Sequence, residues 1–416
     1  MKIRSLLAMV VPIALCLSVL GCGNSPEQDT FTTTQSGYEE EQQMILQQRR
    51  DIVESYMREM LTVLWRADET IVYGLRGGKP TLTIVAGRLY RGIPYAFSMG
   101  TKASFLEFSS EQDESGVYRI TGLQGTALLG TGAEARIGSD CSSAMTAAWS
   151  LVSPGLRAVQ SKDMLQANGV IPVGDYSFQP AYCADGVYLT DTAPAIAAND
   201  EQTMFKAYAQ LQKGDGIFYI GDSNHCRMVV SVDVVYKSDN TIDPYLSTVT
   251  TLEQTRNNFF DEVTTVIPGI DEPVYMIGGI DVKYSFLDLY NDNYLPITVP
   301  QLIDPSPIAE LEITDSIKEH SKATILDGTI NANYYIDTMT VMITDGDGNE
   351  VQRISASVTR GNASSFSMIK FLTDNPASIR GSLDLESLKK GAYNCKTVCR
   401  MMSGEEVTVR DFDFTV

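Results

Sequence analysis

The chain has 416 residues, 44% hydrophobic and 20% charged, which suits a globular protein of one to three domains with a sizeable core. Its formal charge of -20 argues against electrostatic binding to nucleic acid or an anionic membrane surface. Seven cysteines without dense spacing argue against a disulfide framework, and two histidines with no Cys-x-x-Cys pair give no support to a zinc site or any other metal or cofactor.

At the N-terminus, Lys2 and Arg4 precede an apolar run from Leu6 to Leu20. At about 15 residues it fits a secretory segment and is short for a membrane span. It ends in Val19-Leu20-Gly21-Cys22, which resembles a bacterial lipoprotein box. The expectation is a signal peptide over 1–21 and a lipid on Cys22. That places the chain outside the cytoplasm of a bacterium, on the cell membrane by its lipid anchor alone. Residues 22–38, rich in Ser, Thr, Gln and Asn, read as a flexible tether. Ser36-Gly37-Tyr38-Glu39 reads as a capping box for a helix from Glu39 to about Arg66. Ile45, Ile52, Tyr56, Met60 and Val63 form its expected packing stripe.

Gly92 and Pro94 then break an aromatic stretch, Leu89 to Gly100. The segment Gly138 to Trp149 turns from loop into helix with a cysteine at the turn. Ser139 and Asp140 are N-cap types, and Ala144, Ala147, Ala148 and Leu151 recur at helical spacing. Ser153-Pro154-Gly155 ends the run. A short helix is expected over 162–168, and a longer one from the cap Asn199-Asp200 through Gln212. Strands follow at Ile217–Ile220, at Cys226–Tyr236 with His225 at its start, and at Ser247–Thr255 after a reversal near Thr241. Four prolines between Pro296 and Pro307 suggest a boundary, dividing a domain over 39–300 from one over 308–416. β-type runs prevail in the latter: Thr338–Thr344, Glu350–Thr359, Phe366–Phe371, Tyr393–Met402 and Val407–Val416. They read as a sandwich of immunoglobulin type. Asp345 to Asn349 reads as a hairpin turn rather than a calcium loop. Cys395 and Cys399, four apart on one strand, have Cα atoms about 13 Å apart, beyond disulfide reach.

A thiol at a helix N-terminus faces unpaired N–H groups and the positive end of the macrodipole, and both favour the nucleophilic thiolate. Cys141 holds that place and needs a base. His320, beside Glu319, reads as a surface residue, which leaves His225. A cysteine on a helix and a histidine on a later strand follow the order of a papain-like site. A third polar group should orient the imidazole. Counting across the hairpin brings both Glu253 and Gln254 near His225, within about a residue or two. Only one can face it, and Gln254 is preferred, because an amide orients a ring without fixing its charge.

Three segments in order resemble the NlpC-type cysteine peptidases of bacterial cell walls. Gly92-Ile93-Pro94-Tyr95 is similar to the family's Gly-x-Pro-Tyr, and Asp140-Cys141-Ser142-Ser143 to its Asp-Cys-Ser-Gly. Leu211 to Phe218, followed by His225, is similar to its Leu-x-x-Gly-Asp stretch and histidine. Ser143 stands where glycine is usual, and long insertions flank Cys141. The resemblance implies an α+β fold: a papain-like NlpC-type hydrolase domain with an N-terminal helix, followed by the all-β immunoglobulin-like sandwich. It implies Cys141 as nucleophile, His225 as base and then acid, and Gln254 or Glu253 as orienter. Tyr95, Asp140 and Ser142 match positions that shape the substrate pocket. The implied partners are peptidoglycan stem peptides, cut at an amide such as the D-γ-glutamyl-to-diamino-acid bond. The alternative is an inactive hydrolase fold that binds wall peptides or a protein partner.

Overall fold

The computed structural model describes residues 35–75, 79–96, 100–121, 138–154, 156, 170–177, 183–184, 188–189, 191–334, 336–357, 365–367, 379–402 and 404–416. The signal peptide, Cys22, most of the tether and the helix expected over 162–168 lie outside these residues. The architecture is mixed, with an N-terminal helix and a β-rich body containing few helices. The chain divides into two compact units, one through Glu41 and one from Gln42 onward.

The first helix, α1, is Gln35–Thr62, so it begins before the expected cap and stops before Arg66. Of the expected stripe, Met60 and Val63 are buried and Tyr56 packs against the core, but the face is turned at Ile52. Ile52 is 49% exposed, while Val53, Met57, Met60 and Leu61 are buried, with Arg49 and Arg50 beside them. The two arginines set this rotation. Arg49 donates to the carbonyls of Gln301, Asp304 and Ser306 at 3.0, 2.7 and 2.6 Å. Arg50 reaches the Lys213 and Leu302 carbonyls and pairs with the buried Asp215 at 2.9 Å. A buried guanidinium is tolerated only with such partners.

Two six-stranded sheets follow. One runs, in spatial order, Thr264–Thr265, Val274–Met276, Tyr90–Arg91, Leu64–Ala67, Tyr118–Ile120, Ser109–Gln112. Gly92 leaves it with φ of +96°, and a Cβ there would lie 2.4 Å from the Ile277 carbonyl oxygen. The other sheet carries the site. Its strands in chain order are β1 (Ile171–Pro172), β2 (Gly216–Ile220), β3 (Asn224–Asp233), β4 (Thr248–Glu253), β5 (Gly279–Ser285) and β6 (Leu295–Thr298). They pair antiparallel in the order β5-β4-β3-β2-β6-β1. The strands foreseen at 217–220, 226–236 and 247–255 thus become β2, β3 and β4; β2 and β3 begin one and two residues earlier, β3 ends at Asp233, and β4 is shorter at both ends.

Helix α2, Cys141–Ser150, is buried along all ten residues. Small residues on most sides let it approach closely, and Trp149 Nε1 donates to the Gly214 carbonyl at 2.8 Å. Gly216 permits this approach, since a Cβ there would meet Met145 and Trp149 at 2.4 and 3.1 Å. Each large apolar side chain buried here stabilises by about 1.5–3 kcal/mol.

Beyond residue 308 lie two antiparallel sheets. A five-stranded one is ordered Ile379–Ser382, Glu350–Ser357, Ile336–Asp345, Ala392–Met401, Glu406–Thr415. A three-stranded one is ordered Ile313–Asp315, Thr329–Ala332, Ser365–Ser367. Ile330, Ile343, Cys395, Cys399 and Phe414 belong to the core here, distinct from the larger core around Trp65, Trp149 and Phe218. Cys395 and Cys399 are buried thiols, and burial pushes both up to about 12.

Candidate active site

Asp140 caps α2 as expected. It is extended, with φ of -94° and ψ of 176°, and its Oδ1 accepts from Ser143 N at 2.8 Å and Ser142 Oγ at 3.0 Å. The cap places Cys141 at the first helical position, 4% exposed. The Gly92–Tyr95 segment lies alongside: Ser139 N donates to the Pro94 carbonyl, Ala96 N donates to the Ser139 carbonyl, and Tyr95 bridges Ser139 in parallel. Burial, then the neighbouring Cys141 and Asp140, push the Tyr95 hydroxyl above its ordinary range. Tyr95, Asp140 and Ser142 therefore share the neighbourhood of the sulfur, with Ser142 and Asp140 already engaged in the helix cap.

The Gly214-Asp215-Gly216 turn sets where β2 begins. Asp215 Oδ1 takes Arg50 and Thr298 Oγ1, and its Oδ2 accepts from Gln212 N at 2.7 Å. Its carboxylate is a structural anchor. β2 then pairs with β3 so that Tyr219 lies opposite His225. Cys141 Sγ sits 3.9 Å from the Asn224 carbonyl oxygen.

His225 Nε2 lies 2.6 Å from Glu253 Oε2, and the ring and the Cys141 thiol act on each other electrostatically. Burial is the strongest influence on the ring and opposes its charge. Hydrogen bonds and charge from Cys141 and Glu253 overcome it and raise His225 to about 9. The thiol moves the opposite way. A hydrogen bond with Cys226 does most to lower it; burial resists, and the hydrogen bond and charge of His225 add to the fall, leaving Cys141 well below an ordinary thiol. Both shifts favour the thiolate and imidazolium form of the pair.

Of the two expected orienters, the one not preferred does the orienting. Glu253 bonds His225, whereas Gln254 Nε2 donates to the Ile93 and Pro94 carbonyls at 2.9 and 3.2 Å. The alternation of side chains decides this. Met228 pairs with Leu252, so Arg227 comes opposite Glu253, and His225 follows two residues on, on the same face. Gln254 instead secures the loop that carries Tyr95. His320 is half-buried rather than on the surface, stacked on Phe412 with centroids 5.1 Å apart, and takes no part in the site.

Sequence reasoning missed two further members. Arg227 Nε donates to Glu253 Oε2 at 3.0 Å, and Tyr284 OH donates to Oε1 at 2.7 Å. With burial working against it, these partners and His225 hold Glu253 down at about 2. Arg227 could have been found as the residue two beyond His225 on its strand; Tyr284 had no local signal. Among the described residues, no group of three or more His, Cys, Asp or Glu is placed to hold a metal ion.

No family model matches the chain, and no curated protein sequence matches it. Among solved structures, it is similar to one titled "Crystal structure of tetra-tandem repeat in extending region of large adhesion protein". That likeness has 14% identity and a TM-score of 0.17, over 49% of this chain and 40% of that one.

Proposed function

We propose that the chain is a papain-like cysteine hydrolase of NlpC type that cleaves amide bonds in peptidoglycan stem peptides. One observation carries the reading: a thiol at the N-terminus of a buried helix, electrostatically coupled to an imidazole whose Nε2 lies 2.6 Å from a carboxylate. The Cys141 thiolate attacks the substrate carbonyl. The oxyanion that forms is met by the backbone N–H of Cys141 at the start of α2. His225 gives its proton to the departing amine, and the acyl-thioester remains on Cys141. A water, deprotonated by His225, then releases the acid. Glu253 holds the ring through both steps. In this reading Asp140 meets the amino end of a stem peptide, and Tyr95 and Ser142 shape the pocket beside it.

In the same reading, cleavage after Gly21 and a lipid on Cys22 hold the enzyme at the bacterial cell surface. The sheets beyond residue 308, as an immunoglobulin-like module, space it from the membrane or bind wall polymer. Digestion of purified peptidoglycan, with products identified by mass spectrometry, tests the reading. The native chain releases cleaved stem peptides and Cys141→Ala does not. Intact peptidoglycan retained by the native chain favours a binding module, and equal cleavage by Cys141→Ala removes the nucleophile.

A further inference from the structure

We propose that Arg227 is a positioning residue: clamped between two tyrosine rings, it shares the Glu253 carboxylate with His225 and so limits how firmly that carboxylate grips the imidazolium. The proposal rests on the hydrolase reading above and adds to it a group that sets the proton-donating strength of His225.

The geometry carries it. Arg227 Nε and His225 Nε2 both meet the same oxygen, Glu253 Oε2, at 3.0 and 2.6 Å. The guanidinium carbon lies 3.9 Å from the Tyr284 ring centroid and 4.3 Å from that of Tyr294, a sandwich that fixes the plane of the cation. Tyr284 also donates to the other carboxylate oxygen at 2.7 Å. One buried negative charge thus lies between two cations, one permanent and one that must come and go.

Arg227 is held differently from Arg410 and Arg49. Arg410 spends Nε, Nη1 and Nη2 on Asp315 and the carbonyls of Thr324, Ile325 and Asp327. Arg49 ends on three carbonyls. Arg227 has its Nη1 buried without a hydrogen-bond partner. Here the aromatic faces and one carboxylate hold it, and the carboxylate is the one on His225.

The groups around His225 come from every packed element. Cys141 approaches from α2, Cys226 lies beside it on β3, and Tyr219 is opposite on β2. Glu253 lies on β4 and Tyr284 on β5, with Tyr294 just before β6. Among these, Arg227 is the permanent cation. Without it, Glu253 gives its whole charge to the imidazolium, and like-charge repulsion on the ring disappears as well. Both changes make His225 hold its proton more tightly.

The test is nuclear magnetic resonance of the full chain with isotope-labelled histidine. The chain has only two histidines, and His320→Gln assigns the signals. In Arg227→Gln the His225 titration moves upward by about one pH unit, while Arg227→Lys, which keeps the charge, stays within about 0.3 of the native chain. A native titration in Arg227→Gln, or an equal shift in Arg227→Lys, overturns the proposal. Should Arg227→Gln not fold, Tyr294→Leu opens one side of the sandwich and moves His225 upward by a smaller amount; no movement there overturns it too. The two readings separate cleanly. A shift in Arg227→Gln with no hydrolysis by the native chain supports charge sharing and overturns the hydrolase. Hydrolysis by the native chain with no shift overturns charge sharing alone.

Discussion

Replacing Glu253 by glutamine keeps the shape of the side chain and removes its charge. Burial disfavours that charge, yet His225, Arg227 and Tyr284 together pull the carboxyl from its ordinary 4.5 to about 2. A fall of that size corresponds to about 3 kcal/mol of native-state stability. The sign follows from linkage. A depressed carboxyl contributes fully above pH 4.5, and the contribution is lost as pH falls towards about 2. His225, raised from 6.5 to about 9, contributes fully below 6.5 and loses its share as pH rises through about 9. The two shifts share the His225–Glu253 contact and so do not simply add. The stability gap between native chain and Glu253→Gln is therefore widest between 4.5 and 6.5 and narrows on both sides. The unpaired Arg227 in the variant adds a constant offset, so the pH dependence of the gap is the diagnostic quantity. Urea unfolding at about pH 3, 5.5 and 9.5 measures it. A gap equal at all three refutes the charged His225–Glu253 pair.

Iodoacetamide at about neutral pH is expected to label Cys141 well ahead of Cys395 and Cys399, whose thiols burial pushes up to about 12. Peptide mass mapping reads this, and equal labelling contradicts it. Arg50→Met leaves Asp215 buried without its cation and is expected to cost about 3–5 kcal/mol, read from the urea midpoint. A loss below about 1 kcal/mol contradicts the anchoring role of the Gly-Asp turn. Gly92→Ala meets a backbone oxygen at 2.4 Å from a positive φ, and is expected to lower stability by about 1–3 kcal/mol or more in thermal unfolding. Asp140→Ala removes the cap of α2 and is expected to cost about 1 kcal/mol in urea unfolding; no measurable loss contradicts the cap.

Local chemistry made the centre of the site legible. Asp140 before Cys141 reads as a cap, and small residues behind it read as a helix that packs closely; both hold. His225 on the second strand is legible for a similar reason, because turn residues bound that hairpin. Choosing between Glu253 and Gln254 required parity across the ladder. The β3–β4 pairing shifts by one residue between Val229 and Ser231. Nothing in the sequence marks that irregularity, and one residue of slip exchanges the two faces. The face of α1 is legible only in part, for a different reason. Apolar periodicity pointed to Ile52, but Arg49 and Arg50 gain so many carbonyl and carboxylate partners that they turn inward. Periodicity treats arginine as solvent-facing, and only the tertiary partners overturn that. Tyr284 reaches the site from β5 through tertiary pairing alone.

The most direct test of the account is the thiolate absorbance of Cys141 in the far ultraviolet, followed from acid to alkaline pH. The native chain is expected to show one thiolate already present at about pH 6, absent in Cys141→Ala and shifted towards ordinary thiol behaviour in His225→Ala. A native chain whose first thiolate forms only above about pH 8 contradicts the ion pair and, with it, the nucleophile on which the proposed hydrolase depends.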